Sequence, residues 1–140
     1  MEFDVPDGTI SIEKGSWALW GVDQTLVTDV RICNSVVSIG DKAFTYRSCG
    51  FTGMKRVHIP GSVESIGERA FQYCWSLLEV EIPNSVIKIG SFAFGNCWEL
   101  TRVSIGTGVV SIPAGVFYKC KNLMEVPIPS QIKLIERSAF

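Results

Sequence analysis

No apolar run in this 140-residue chain approaches the 18 or more residues of a membrane span. The opening "MEFDVPDG" has acids where a secretory signal carries a basic segment, so no targeting address is visible. Neither charge is in excess: 13 Lys and Arg face 14 Asp and Glu, for a net charge of −1. That balance argues against a basic phosphate-binding face, and nucleic acid is not an expected partner. There is one histidine, His58, lying between Arg56 and Pro60 with Cys33 of the neighbouring repeat as its nearest thiol, and a surface imidazole accounts for it. The chain also lacks a glycine-rich phosphate loop, a metal-ligand spacing and a supported carboxylate pair. No catalytic constellation remains, so neither an enzyme nor a cofactor nor a metal is expected. What the chain does have is apolar residues, at 46%, which sets it apart from disordered sequences.

Those apolar residues recur. Ile at offset zero and an aromatic at offset five give Ile12/Trp17, Ile39/Phe44, Ile66/Phe71, Ile89/Phe94, Ile112/Phe117 and Ile135/Phe140, with spacings of 27, 27, 23, 23 and 23 residues. The four extra residues of the first two copies fall near Trp20 ("GVDQ") and Cys49 ("GFTG") and predict longer loops on one side. Each copy then carries a triplet: Val27/Val30/Ile32, Met54/Val57/Ile59, Leu77/Val80/Ile82, Leu100/Val103/Ile105 and Leu123/Val126/Ile128. This is the L-x-x-L-x-L core of a leucine-rich repeat. Its β-branched, period-two half predicts a strand of three to five residues, ended by Pro60, Pro83 or Pro129. The other half, "IGDKAF", "IGERAF" or "IGSFAF", predicts one helical or 3₁₀ turn with Asp41 or Ser91 near its start. No copy buries its apolar side alone, so the copies must stack. The expected fold class is α/β: a right-handed leucine-rich-repeat solenoid, with a short parallel sheet on one face and helical turns and loops on the other.

Residues 1–140 read as one such domain. It comprises a degenerate half-copy, 1–11, that serves as a cap, repeats 12–38, 39–65, 66–88, 89–111 and 112–134, and a partial copy, 135–140. The Met placed directly on a repeat-like segment and the stop at "IERSAF" read as an excerpt of a longer repeat protein. The written-out pattern "SIGERAFQYCWSLLEVEIPNSV" resembles the BspA-like leucine-rich repeats of bacterial and protist surface proteins, and the resemblance covers essentially the whole chain. It weakens in the first copy, where Trp17 replaces Phe and Trp20 replaces Cys. The resemblance implies extracellular protein binding and adhesion at a cell surface or after secretion, with a protein partner and no enzymatic site.

Cys74, Cys97 and Cys120 share one repeat position, so stacking sets them in a row about 5 Å apart. That spacing admits a disulfide or a metal ladder, but parallel Cβ vectors oppose the first and a straight row cannot wrap a tetrahedral ion. Buried free thiols are the expectation. Cys33, in the position of a proline, and Cys49, in the inserted loop, are the better candidates for a reactive thiol. The Phe column is expected to be a core spine. Trp75 and Trp98 align with Lys121 of the next copy, which marks an exposed position and a candidate secondary contact patch.

If Val-x-Ile points inward, the residues flanking the Val point out. Stacking makes two outward columns: Asp29, Arg56, Glu79, Arg102, Glu125, and Arg31, His58, Glu81, Ser104, Pro127. The first alternates in sign, which cross-strand pairing alone explains. These offsets nonetheless vary while the core offsets hardly change, as a recognition surface would. The candidate partner-binding face is therefore Asp29, Arg31, Arg56, His58, Glu79, Glu81, Arg102, Ser104 and Glu125. Its polar character favours a protein partner over an apolar small molecule. The alternative function is a structural spacer or self-assembling solenoid, forming a homodimer through an uncovered end near Phe140.

Overall fold

Val-x-Ile triplets become strands because their β-branched side chains alternate with polar ones, and strands of successive copies lie side by side in parallel. A computed structural model describes residues 1–46 and 49–140, the side chains of Tyr46 and Cys49 excepted. In chain order its elements are β1 (Glu2–Asp4), β2 (Ser11–Ile12), α1 (Ser16–Leu19), β3 (Asp29–Arg31), β4 (Ser38–Ile39), β5 (Thr45–Tyr46), β6 (Cys49–Gly50), β7 (Arg56–His58), β8 (Ser65–Ile66), β9 (Glu79–Ile82), β10 (Lys88–Ile89), β11 (Arg102–Ile105), β12 (Ser111–Ile112) and β13 (Leu134–Ile135). They form a parallel-strand solenoid of about five turns.

The first ladder runs β1-β3-β7, and the β9-β11 pair lies next in the same row. The join between β7 and β9 is the Leu78 N–H to the Lys55 carbonyl at 3.0 Å. Register follows the repeat offsets: Phe3, Val30 and Val57 align, as do Val80 and Val103. Strands of three or four residues stop short of Pro60 and Pro83, where the ladder would lack a donor. The fifth copy departs from this expectation. Leu123, Val126 and Ile128 form no strand, and Ile128 is exposed. Pro127 explains the departure, because it has no N–H at the position that would pair opposite Ser104.

A second parallel ladder joins two-residue strands that end in Ile, mostly Ser-Ile, in the order β10-β8-β4-β2, with β12 pairing β13. It holds Ile12, Ile39, Ile66 and Ile112 in the core beside Val36, Val63, Val86 and Val109, while Ile89 is partly buried and Ile135 exposed. On the remaining side the expected helical turn is found only as α1 in the first copy. The third residue after each Ile has positive φ in every copy, Gly15 at 93° included, but in the 23-residue copies a second left-handed residue follows four positions on: Tyr73 at 64°, Asn96 at 60° and Lys119 at 56°. That conformation breaks a helix and turns the N–H groups along the solenoid axis. The N–H groups of Arg69, Phe71 and Tyr73 donate to the carbonyls of Ser91, Ala93 and Gly95 in the next copy, and those of Phe92, Phe94 and Asn96 to Ala114, Val116 and Tyr118. The Asp41 carboxylate likewise accepts from the Glu68 N–H of the next copy instead of capping its own turn. Stacking has drawn these backbone bonds out of the repeat and into the ladder. Among the described residues no helix is long and apolar enough to cross a membrane.

The core is one continuous file. Phe44, Phe71, Phe94 and Phe117 are buried, with ring centroids 4.4, 5.0 and 5.9 Å apart and planes within 19° of parallel. Phe140 continues the stack at 5.8 Å but is half exposed. Across the half-copy and the two 27-residue copies, Phe3, Trp20, Phe44 and Phe51 close around Trp17 in mostly edge-on contacts. The second insertion is an antiparallel hairpin, β5 with β6, and the chain's one departure from parallel pairing among the described residues.

Candidate functional site

The first ladder leaves its outward side chains in rows because the pleat sends every second residue away from the core. On β7 the order is exposed, buried, exposed for Arg56, Val57 and His58, and β9 and β11 repeat it. Asp29 sits opposite Arg56 and Arg31 opposite His58, while Glu79 faces Arg102 and Glu81 faces Ser104. All eight line one shallow groove of about 760 Å³, whose floor is Val30, Val57, Ile59 and Val80 and whose rim includes Gly61 and Pro83. The sequence pattern missed two members of the face. Glu2 and Asp4 flank Phe3 on β1, and the parallel between "FDVP" and "VHIP" carried the signal that would have found them.

Glu125, by contrast, does not join the groove. The loss of the fifth strand places it beside a separate apolar hollow with Phe117, Leu123, Met124, Val126, Ile128 and Phe140.

Charges on the groove pair between neighbouring strands. Arg31 Nη2 lies 2.9 Å from Glu2 Oε2, and its Nη1 lies 3.8 Å from Asp4 Oδ1. Arg56 Nε donates to Asp29, and Arg102 Nη1 lies 3.5 Å from Glu79 Oε2. The Thr28 hydroxyl, at 2.7 Å, and then the Arg56 guanidinium hold the Asp29 carboxyl below the ordinary carboxylate range. Asp29 in turn raises Arg56 above its ordinary value. The three guanidiniums are solvated, so these pairs contribute little to stability. Among the described residues His58, Glu81 and Ser104 make no side-chain hydrogen bond or ion pair.

The cysteines behave as apolar filling. Cys74, Cys97 and Cys120 are buried and free, and the Cys97 and Cys120 thiols donate to the carbonyls of Phe71 and Phe94 at 3.4 and 3.2 Å. Burial pushes the Cys74 thiol up to about 12 and raises Cys97 as well. Cys33 is half-buried, with its Sγ 3.3 Å from the Pro6 carbonyl and 3.1 Å from the Ser35 hydroxyl. The Cys49 side chain lies outside the described residues. No group of three His, Cys, Asp or Glu side chains is placed to hold a metal ion among the described residues. Trp75 and Trp98 stack at 5.0 Å with planes 5° apart, and Lys121 Nζ lies 5.1 Å above the Trp98 ring, away from the groove lining.

No curated protein sequence matches the chain. The leucine-rich repeat protein of T. pallidum is 26% identical with a TM-score of 0.67, over 96% of this chain and 72% of that one. A leucine rich cell surface protein of Faecalibacterium prausnitzii is 22% identical with a TM-score of 0.59, over 99% of this chain and 50% of that one. The pneumococcal vaccine antigen PcpA is 19% identical with a TM-score of 0.73, over 99% of this chain and 36% of that one. The latter two likenesses show the fold alone, and the chain spans half or less of those proteins. A family profile described as a BspA type leucine rich repeat region, in six copies, matches residues 49–140, well over half of the chain. The chain belongs to the BspA-type leucine-rich repeat family.

Proposed function

We propose that this chain is a non-catalytic protein-binding module of a surface or secreted leucine-rich-repeat protein of adhesin type, and that it takes a protein partner on the first-ladder groove. One observation carries the proposal: outward side chains of five successive strands, varied in type, converge on a single concavity, while the inward offsets of the same strands stay apolar and buried. A fixed interior with a varied continuous face is how a solenoid presents a recognition surface. The cell-surface description of the F. prausnitzii protein supports the compartment. The Trp75/Trp98 stack is the secondary contact patch in this proposal.

The test fills the groove. Random short peptides displayed on phage are selected against the immobilised chain and re-measured against a Gly61→Trp/Ser104→Trp variant. A Cβ on Gly61 meets open space and Ser104 is exposed, so the fold accepts both changes. Affinity is expected to fall at least about tenfold with an unchanged melting temperature. Retained affinity would overturn the proposal. The second function, self-association as a spacer, draws on the apolar hollow beside Phe140, where Met124 is almost fully exposed. Light scattering decides it: a strictly monomeric chain at high concentration removes it.

A further inference from the structure

The groove is not uniform in charge, and the imbalance has a location. Four carboxylates and three guanidiniums line it: Glu2, Asp29, Glu79 and Glu81 against Arg31, Arg56 and Arg102. Every guanidinium is engaged. Arg31 is countered twice, by Glu2 and by Asp4 of the same strand, Arg56 by Asp29, and Arg102 by Glu79. Glu81 is the carboxylate left over, with no cation within 4 Å among the described residues. It stands between His58 and Ser104 in its column, beside the side-chain-free rim at Gly61.

From this geometry we infer that the groove accepts a basic side chain, lysine or arginine, from its protein partner, with Glu81 as the anchoring carboxylate. The inference rests on the groove being the binding face. Three features favour a cation. An incoming guanidinium or ammonium finds an unpaired acceptor at Glu81 and a second acceptor in the Ser104 hydroxyl. The aliphatic stem of such a side chain has the Val57, Ile59 and Val80 floor to lie on. An incoming carboxylate, by contrast, must displace Asp29 from Arg56 or Glu79 from Arg102 and is repelled by Glu81 as it does so. The same excess of carboxylates disfavours a phosphate backbone.

Two synthetic peptides, identical except that one carries arginine where the other carries glutamate, are titrated by fluorescence anisotropy against the wild-type chain and three variants. The arginine peptide is expected to bind the wild type more tightly, and to weaken as salt screens the pairing. Glu81→Gln, which keeps the shape, should weaken it about tenfold, and Glu81→Lys should abolish it. Arg102→Glu should strengthen it, since Glu79 is then freed and a cation removed. Preference for the glutamate peptide, no binding of either peptide, or unchanged affinity in Glu81→Gln overturns the inference. The Gly61→Trp/Ser104→Trp variant separates the two levels. If it abolishes binding while Glu81→Lys improves it, the groove stands as the site and the basic partner falls. If it changes nothing while peptides still bind, the groove itself falls.

Discussion

The two 27-residue copies and the 23-residue copies that follow solve one stacking problem with different chemistry. In the shorter copies the solution is strict repetition: phenylalanine on phenylalanine, thiol to carbonyl, and axial N–H groups passed from turn to turn. In the longer copies repetition gives way to an aromatic cluster of Phe3, Trp17, Trp20, Phe44 and Phe51, with a helix and a hairpin on its outer side. Within the longer copies one hydrogen bond shows the difference. Trp17 Nε1 donates to the Ala43 carbonyl at 2.7 Å, so a side chain supplies what the backbone N–H of an ordinary copy would. Copies that repeat can share a backbone ladder, whereas a copy that changes its fold locally must satisfy the neighbouring carbonyl by another route.

The comparison breaks most severely at the spine. Phe94 is fully buried and touches rings on both sides, so Phe94→Ala should cost about 3–5 kcal/mol in urea unfolding. Because each copy leans only on its neighbours, hydrogen exchange should show the 23-residue copies losing protection while the aromatic cluster keeps it. Uniform loss along the chain would mean that the two regions are one cooperative unit.

A more selective change acts inside the longer copies. Trp17→Phe keeps an aromatic in the spine but strands the buried Ala43 carbonyl, at an expected cost of about 1–3 kcal/mol. The loss should appear as faster amide exchange in the first two copies, with the later ones unaffected. If stability does not change, the cluster holds by packing and the indole hydrogen bond adds nothing.

How much of this division is legible in the sequence depends on the kind of bond involved. Ile66, Ala70, Phe71, Cys74, Leu77, Val80 and Ile82 recur one copy later, and stacking converts each offset into one direction in space. The core file and the groove residues from Asp29 to Ser104 follow from that. The helical turn was the wrong expectation because the N–H partners of Arg69 and Phe71 lie in the next copy, and no residue near them marks the left-handed conformation at Arg69 or Phe92. The two-residue Ser-Ile ladder is too short to show a period. Glu125 was assigned to the face by offset alone, although Pro127 two residues on already argued against a strand. Glu2 and Asp4 were missed for the opposite reason, because β1 belongs to a half-copy whose match is weak.

The thiol column exists only in the shorter copies, and its two fully buried members, Cys74 and Cys97, should make that region sensitive to alkali. The folded state holds the Cys74 proton up to about pH 12, whereas an unfolded thiol releases it near pH 8.5. Between those values the folded chain binds more protons, so the stability that Cys74 contributes is complete below the lower value and is lost as pH rises through the upper one. Cys74→Ala should cost about 1 kcal/mol at neutral pH and flatten the alkaline fall in stability. An identical slope in the variant would place the alkaline sensitivity elsewhere.

The smallest expected effect tests whether sign alternation on the groove is structural at all. Arg102 is largely exposed and its contact to Glu79 is 3.5 Å, so Arg102→Ala should change unfolding free energy by no more than about 0.5 kcal/mol, and less at high salt. Arg56→Ala should cost slightly more, because Asp29 is mostly buried and loses a direct donor. If both substitutions leave stability nearly untouched, the alternating charges hold the sheet together only weakly, and their arrangement is free to serve recognition. A loss above about 1 kcal/mol at Arg102 would instead tie the column to stacking, as the interior already is.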